Sequence, residues 1–173
     1  MFKRSLLQPN FVLGGTVTRL TPEILSTNNI KGMILDVDET LVPFKNNIIP
    51  DEVTSWADQM RQLVDIWLVS NNLSESRIGN IAKDLNFPYF AWAKKPSRRK
   101  LRQAAQEMDL PEDKIAMVGD RLFTDVVGGN RLGMFTILVE PMAENSVDKR
   151  TFSIRSTELW IAKQCGISFN PSK

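Results

Sequence analysis

The chain has 173 residues, a formal net charge of +2, no histidine and a single cysteine, Cys165. This composition excludes histidine-dependent nucleophiles, histidine metal ligands, internal disulfides and cysteine-built zinc sites. Any catalysis must therefore use Asp, Glu, Lys, Ser and Thr side chains, and any bound metal is expected to be a hard, oxygen-ligated ion such as Mg²⁺. The length suits one domain with an ordinary core, and the small net charge gives no reason to expect a nucleic-acid partner.

The first 31 residues are expected to form an N-terminal arm, followed by a domain over residues 32–173. The arm mixes apolar and basic residues and is interrupted by Pro9 and Pro22. It can pack on the domain or touch a membrane surface, and the sequence leaves both readings open. The start lacks the apolar core of a signal peptide, and no run approaches the roughly 20 apolar residues of a membrane span. We therefore expect a cytoplasmic protein, or its equivalent in an organelle stroma or matrix, with at most peripheral membrane contact.

From Gly32 onward, short apolar strands alternate with amphipathic helices. Strands are predicted at about residues 33–35, 65–72, 88–93, 114–118 and 134–140, and helices at about 50–63, 74–85, 97–108, 121–132 and 157–165. The last helix is predicted to begin after a Ser156 or Thr157 cap and to end before Gly166, and residues 141–155 are predicted to be irregular. This alternation predicts a doubly wound parallel α/β sheet of about five strands.

Polar residues follow four successive predicted strands. They are Asp36, Asp38 and Thr40; Ser70 and Asn71; Lys95; and Asp120 and Asp125. Parallel strands with right-handed crossovers point the same way, so all four groups are expected at one edge of the sheet. Ligands of such sheets bind beyond the carboxyl ends of the strands.

These groups resemble the four motifs of the haloacid dehalogenase (HAD) superfamily of Mg²⁺-dependent phosphatases. The first motif, DxDx[TV], is matched by residues 36–40, the second by Ser70, the third by Lys95 and the fourth, GDxxxTD, by residues 119–125. Of two neighbouring lysines, Lys95 is preferred over Lys94 because the family's lysine directly precedes proline.

The resemblance implies roles for these residues. Asp36 would be the nucleophile that forms an aspartyl-phosphate, and Asp38 the general acid and base. Ser70 and Lys95 would hold phosphoryl oxygens. Mg²⁺ would be bound by Asp36, Asp120 and the backbone carbonyl of Asp38, with Asp125 as a water-mediated or indirect ligand. Thr40 would fix the loop geometry, and Thr40 and Asn71 are counted among the substrate-binding residues.

Residues 119–141 resemble more closely the YqeG-type branch, the phosphatidylglycerophosphate phosphatases. The run Gly128–Arg131 and an N-terminal arm rich in Pro and Leu are typical of that branch, whereas Glu39 replaces its usual Asn. The resemblance implies removal of the terminal phosphate of phosphatidylglycerophosphate. The two helical glycines, Gly128 and Gly129, are predicted to serve close packing.

The gaps between Thr40 and Ser70 and between Ser70 and Lys95 each hold one crossover helix, so no cap domain is expected over the site. An open site favours a macromolecular or membrane-borne phosphate. The basic run from Lys94 to Arg102 places cations in the first turn of a helix, against its dipole. Arg98 and Arg99 can hold a second phosphate or anionic lipid headgroups, or the run can be a solvated face.

Two other functions are compatible with the sequence. One is a phosphatase of a soluble or protein phosphate, and the other is a HAD-fold binding protein without activity. The intact acids favour an active enzyme over the binding protein.

Overall fold

A single parallel sheet of six strands organises the part of the chain that the structure describes. The computed structural model describes residues 4–44, 46–142, 149–164, 166, 167 and 169. The strands are β1 (Phe11–Val12), β2 (Gly32–Leu35), β3 (Asp65–Val69), β4 (Tyr89–Phe90), β5 (Ile115–Gly119) and β6 (Phe135–Leu138). Their order across the sheet is β1-β6-β5-β2-β3-β4, and every neighbouring pair is parallel.

Helices connect the strands and cover both faces of the sheet. They are α1 (Pro22–Thr27), α2 (Asp51–Met60), α3 (Glu75–Leu85), α4 (Arg98–Glu107), α5 (Val127–Asn130) and α6 (Lys149–Gln164). A π-helical turn, Leu122–Val126, leads directly into α5. Ser74 caps α3 as predicted, since its hydroxyl accepts from the Arg77 N–H at 3.4 Å. None of the described helices is long and apolar enough to cross a membrane.

The core explains why β2 lies at the centre of the sheet. All four residues of β2 are buried, as expected of a strand with helices on both faces. On one face the apolar sides of α2 and α3 pack around Met33 and Leu35, and on the other face α4 packs against Ile34. The chain runs outward from β2 through β3 to β4 and then crosses back to β5 on the other side of β2. The carboxyl ends of β2 and β5 therefore flank the topological switch point, where such sheets bind ligands.

The predicted doubly wound parallel sheet is confirmed, but among the described residues it has six strands instead of about five. The missed strand, β1, has only two residues, too few to produce a recognisable pattern. Asn10 fixes it beside β6. The Asn10 N–H donates to the Thr136 hydroxyl at 3.1 Å, and the Asn10 Oδ1 accepts from the Thr136 N–H at 2.9 Å.

The last helix begins earlier than the sequence predicts. It starts at Lys149, so Ser156 and Thr157 lie inside it and do not cap it. Residues 149–157 are mostly basic and hydroxylated and carry no apolar stripe that would have marked them as helical. Part of the predicted irregular stretch, residues 149–155, is therefore helical, while 143–148 and Cys165 lie outside the described residues. Gly166 follows the helix with φ +75°, which agrees with its predicted position just past the C-terminus.

The N-terminal residues pack closely against the rest of the structure. Val17, Leu20 and Leu25 are buried in the core that α2 and α3 share, and Leu7 packs beside Leu122. The division into an arm of residues 1–31 and a domain of residues 32–173 stays a prediction.

Candidate active site

Lys95 joins two carboxylates at the switch point. Its Nζ lies 2.7 Å from Oδ1 of Asp36, directly after β2, and 2.7 Å from Oδ1 of Asp125, on the π-helical turn after β5. All three side chains are buried. Burial in low dielectric requires that these charges be paired, and the contacts to both acids raise the pKa of Lys95 despite its desolvation. The ammonium is therefore fixed as a positive charge beside the predicted nucleophile.

Asn71 sets the position of Lys95 by holding its backbone. The Lys95 N–H donates to Asn71 Oδ1 at 2.6 Å, and Asn71 Nδ2 donates to the Lys95 carbonyl at 3.0 Å. The loop also turns through Lys94, which has φ +55° and an exposed side chain. The structure thus directs Lys95 into the site and Lys94 toward solvent. Asn71, predicted to bind substrate, has both side-chain atoms engaged with the loop.

Three buried carboxylates, those of Asp36, Asp120 and Asp125, offer oxygen atoms that all lie within 4.8 Å of one another. Lys95 contacts two of these residues. Ionised carboxylates this close repel one another, so the cluster fits a divalent cation. Carboxylate oxygens are the ligands that Mg²⁺ prefers. The residues present therefore suit the metal that the sequence predicts.

Gly119 makes room for Asp125 in this cluster. A Cβ at position 119 would lie 2.4 Å from Oδ2 and 2.5 Å from Cγ of Asp125, closer than real contacts allow. The Arg121 N–H donates to the same Oδ2 at 3.2 Å, which holds the carboxylate under the loop. Burial raises the pKa of Asp125 to about 6, an effect opposed by Lys95 and reinforced by the negative charge of Asp36. Without a metal, this group therefore retains affinity for a proton well above the ordinary carboxyl range.

Asp38 lies apart from the three clustered acids. Its Oδ1 forms an ion pair with Nη1 of Arg77, and its Oδ2 accepts from Asn72 Nδ2 at 2.8 Å. Burial raises the pKa of the Asp38 carboxyl, and the Asn72 hydrogen bond and the Arg77 charge offset part of that rise. A carboxyl with a raised pKa and a fixed orientation is suited to general acid–base work.

Arg77 links Asp38 to the loop that follows β2. Its Nη2 donates to the carbonyls of Pro43 and Asn46 at 3.3 and 3.0 Å, and its Nε donates to Asn47 Oδ1 at 2.9 Å. One guanidinium therefore holds both the predicted acid and the loop beside it. The planar fork of Arg suits such multiple contacts, which a Lys ammonium could not reproduce.

The two predicted hydroxyl residues are both buried. Ser70 follows β3, and its hydroxyl accepts from the Asn72 N–H at 3.0 Å. The Thr40 hydroxyl has no hydrogen-bond partner among the described residues, although its backbone N–H donates to the Val37 carbonyl at 3.3 Å. Ser70 is thus placed at the strand end that the motif requires.

Arg98 and Arg99 follow Lys95 closely in the sequence, but they are not part of the carboxylate cluster. Both line an open groove of about 810 Å³ along α4, together with Arg102 and Arg131. Arg131 donates to the Pro96 carbonyl at 2.9 Å, and Ser97, two residues after Lys95, is among the residues that line the groove. Lys100, part of the same basic run, turns away and lies over the Phe90 ring at 4.3 Å.

Sequence reasoning missed three residues that support the site: Asn72, Arg77 and Glu158. Glu158, on α6, is buried, forms an ion pair with Arg121 and accepts from the Leu122 N–H at 3.1 Å. It thereby fixes the first turn after Asp120. Asn72 was visible in the polar strand end that also contains Asn71. Arg77 and Glu158 carried no signal, because a charged residue on a helix normally faces solvent.

Comparison with known proteins identifies the family. A family model described as HAD-hydrolase-like matches residues 92–158. The probable phosphatase YqeG of Bacillus subtilis is 35% identical over 146 residues, which cover 84% of this chain and 83% of that protein. This chain belongs to the HAD superfamily, in the YqeG branch. A predicted HAD-like family hydrolase from Porphyromonas gingivalis has the same fold, with a TM-score of 0.53 and 13% identity over 73% of this chain and 98% of that one.

A more distant relative has a lipid substrate in its name. The phosphatidylglycerophosphate phosphatase 1 of Arabidopsis thaliana, chloroplastic/mitochondrial, is 26% identical over 152 residues. The alignment covers 82% of this chain but 43% of that protein, so this chain spans less than half of its plant relative. The predicted membership in the HAD superfamily and its YqeG-type branch is confirmed by these matches.

Proposed function

We propose that this HAD phosphatase hydrolyses the terminal phosphomonoester of phosphatidylglycerophosphate, with Mg²⁺ and through a phosphorylated Asp36. The observation that carries the chemistry is the contact of Lys95 with Asp36 inside a buried group of three carboxylates. A carboxylate nucleophile replaces one difficult displacement at phosphorus with two easier ones. The Asp36 carboxylate attacks phosphorus, the bond to the leaving alkoxide breaks, and water later releases inorganic phosphate from Asp36.

Asp38 supports both steps as a proton carrier. In the first step it donates a proton to the leaving oxygen, and in the second it accepts a proton from the attacking water. Its raised pKa favours the protonated form that the first step needs. Asn72 and Arg77 hold its two oxygens, which keeps the carboxyl oriented through both steps.

The remaining site residues bind the phosphoryl group or the metal ion. Lys95, which contacts Asp36, and the Ser70 hydroxyl, at the end of the neighbouring strand, would hold phosphoryl oxygens, with Lys95 acting as a point charge. Asp36 and Asp120 would hold Mg²⁺ directly and Asp125 indirectly, and the bound ion would neutralise phosphoryl charge and the mutual repulsion of the acids. The direct contact of Asp125 with Lys95 supports an indirect role for Asp125 at the metal.

Three observations support the lipid substrate. The Arabidopsis relative is a phosphatidylglycerophosphate phosphatase by name. No cap covers the described part of the site, because the β2–α2 and β3–α3 connections hold loops only. The basic groove of Arg98, Arg99, Arg102 and Arg131 offers charge for a second phosphate, and phosphatidylglycerophosphate carries a phosphodiester in addition to its terminal phosphate.

The deciding experiment is phosphate release from phosphatidylglycerophosphate in mixed micelles, with Mg²⁺ and with EDTA, beside p-nitrophenyl phosphate. Asp36→Asn is the test variant, and Asp84→Asn, on the exposed surface of α3, is the matched control. We expect Mg²⁺-dependent release from the lipid that Asp36→Asn abolishes and Asp84→Asn leaves unchanged. Turnover of p-nitrophenyl phosphate alone would retain the mechanism and reject the substrate. Turnover of neither ester by a folded chain would reject the enzyme.

A further inference from the structure

Among the described residues, four large apolar side chains are exposed around the open site. Phe44 is 50% exposed and Ile48 74%, both on the loop after β2, while Leu73 after β3 is 63% exposed and Trp92 after β4 is 51% exposed. Single exposed apolar residues are common, but a group of them beside a binding site marks an interaction surface. These four residues are called the apolar rim below.

The topology brings the apolar rim to one side of the molecule. β2, β3 and β4 are consecutive parallel neighbours, so the loops after them emerge side by side at the carboxyl edge. The same edge carries Asp36, Ser70 and Lys95. The rim therefore borders the predicted catalytic residues and is not scattered over the surface.

Hydrogen bonds hold the rim loops in their exposed positions. The Phe44 N–H donates to Glu39 Oε1 at 2.9 Å, and the Ile48 N–H donates to Asn46 Oδ1 at 2.9 Å. The Trp92 N–H donates to the Asn72 carbonyl at 3.2 Å, next to Leu73 in the chain. Trp92 also has φ +53°, a conformation that a bulky side chain adopts only where its surroundings impose it. The fold thus keeps these apolar side chains exposed to water, where they contribute little to the stability of the folded state.

Positive charge lies next to the rim. Lys94 is exposed two residues after Trp92, and Arg98 and Arg99 are exposed in the first turn of α4, which starts at the same edge. The groove extends this charge to Arg102 and Arg131. Apolar side chains bordered by Lys and Arg match the interface of an anionic bilayer, where the apolar groups enter the headgroup boundary and the cations meet lipid phosphates.

We propose that the apolar rim, together with Lys94, Arg98 and Arg99, docks the enzyme onto an anionic phospholipid surface with the open site facing the lipid. This inference rests on the proposed function, since a lipid phosphate gives the docking its purpose. It assigns substrate access to Phe44, Ile48, Leu73 and Trp92, which are not members of the carboxylate cluster. A phosphate that stays at the bilayer surface can then reach Asp36 without leaving the membrane.

The first test measures docking without turnover. Vesicles of phosphatidylcholine with phosphatidylserine, which lacks a phosphomonoester, are floated with the full chain and compared with pure phosphatidylcholine vesicles. We expect binding to the anionic vesicles that falls with added salt. Replacing the rim with serine (Phe44→Ser, Ile48→Ser, Leu73→Ser and Trp92→Ser together) should lower partition at least about tenfold, because apolar burial at the interface is lost. Leu63→Ser with Trp160→Ser, two exposed apolar residues outside the rim, is the matched control and should not lower it.

A second readout reports Trp92 itself. In a chain carrying Trp160→Phe, Trp92 is the strongly exposed tryptophan, because Trp56 is buried and Trp67 is partly buried. Its emission should shift to shorter wavelength on anionic vesicles and be quenched by brominated lipid. Ile48→Ser and Leu73→Ser are also made singly, because removal of these highly exposed side chains does not threaten the core, and each should reduce partition.

The outcomes separate docking from substrate identity. Loss of vesicle binding and of vesicle-borne lipid turnover in the rim variant, with p-nitrophenyl phosphate turnover retained, supports the proposal. Rim-dependent binding without phosphatidylglycerophosphate turnover keeps the docking surface and rejects the substrate. Unchanged binding and unchanged Trp92 emission overturn the docking surface, even if the lipid is hydrolysed. A rim variant that changes the oligomeric state instead, without affecting vesicle binding, would also overturn it by assigning the rim to contacts between copies.

Discussion

Arg77 reaches from α3 to Asp38, 39 positions earlier in the chain, and forms an ion pair with one oxygen of its carboxylate. Asn72 donates to the other oxygen at 2.8 Å. The predicted general acid is thus held from both sides by residues that no motif contains. Because the same guanidinium holds the loop carbonyls of Pro43 and Asn46, the acid and the loop beside it are one hydrogen-bonded unit.

Replacement of Arg77 by Met should therefore change both the rate and its pH dependence. The Arg77 charge lowers the pKa of Asp38, so its removal lets the carboxyl keep its proton to higher pH. We expect the alkaline limb of the pH profile of kcat/KM to move to higher pH. The maximum value of kcat/KM should fall by about tenfold, because the acid loses its orientation. Arg77→Lys retains the charge and should move the limb less than Arg77→Met. An unchanged alkaline limb in Arg77→Met would show that this pair does not govern Asp38.

A second prediction concerns the close approach of Gly119 and Asp125. Gly119→Ala forces a Cβ into the Asp125 carboxylate, which must shift out of the cluster. We expect a loss of about 1–3 kcal/mol in the free energy of unfolding and Mg²⁺ affinity weakened by about tenfold or more. The measurement is the rise in Tm across a Mg²⁺ titration, since a ligand that binds only the folded state stabilises it.

Gly79→Ala is the matched control for that variant. Its Cβ would meet the Tyr89 hydroxyl at 2.9 Å, which is the movable end of a side chain instead of a carboxylate in the site. Its Mg²⁺-dependent rise in Tm should equal that of the wild type. A full Mg²⁺ response in Gly119→Ala would mean that Asp125 can leave its position without cost to the metal site.

A third prediction assigns a structural role to Asn130, in the run typical of the YqeG branch. Its Nδ2 donates to the carbonyls of Leu6 and Gln8 at 3.0 and 2.9 Å, and its Oδ1 accepts from the Thr136 hydroxyl at 2.9 Å. Asn130→Ala should lower the free energy of unfolding by about 1–3 kcal/mol and speed amide hydrogen exchange over residues 5–12. Asn28→Ala, which removes a bond to the Ile24 carbonyl at the end of α1, should leave that exchange unchanged. Equal exchange in both variants would reject the anchoring role.

The same contacts explain which parts of this protein could be predicted from its sequence. The parallel sheet and the edge that carries Asp36, Ser70, Lys95 and Asp120 follow from apolar strands that end in polar residues, because strand direction alone brings these ends together. The close packing of the glycines in α5 was also predicted from the sequence, and the structure agrees, because a Cβ on Gly129 would lie 2.6 Å from Thr136. These features are local in the chain or repeat along it.

The features that were missed depend on distant contacts. Glu158 meets Arg121 across 37 positions, and β1 pairs with β6, more than 120 positions away. A two-residue strand has no period to detect, and a helical Glu or Arg has the same composition whether it faces solvent or a site. The N-terminal arm and the run Gly128–Arg131 are both typical of the YqeG branch. Only the fold shows that Asn130 of this run holds the arm through the Leu6 and Gln8 carbonyls.

The last prediction is the pH dependence of stability without metal. Burial raises the pKa of Asp125 from 3.8 to about 6, so between these values the folded protein binds a proton that the unfolded chain releases. The free energy of unfolding in EDTA should therefore fall as pH rises from about 4 to about 6 and then level off, by about 1–3 kcal/mol for this group. The raised pKa of Asp38 acts in the same direction, whereas that of Lys95 has no effect in this range because the lysine stays charged.

Urea unfolding at a series of pH values tests the sign directly. Asp125→Asn should remove most of the slope, because the amide does not titrate. Saturating Mg²⁺ should restore stability at neutral pH in the wild type, since a cation that binds the ionised cluster replaces the missing proton. A stability in EDTA that rises from pH 4 to pH 6 would mean that Lys95 stabilises the Asp125 carboxylate by more than burial opposes it. The ionised carboxylates would then be stabilised by the protein without a metal, and the electrostatic argument for the Mg²⁺ site would be lost.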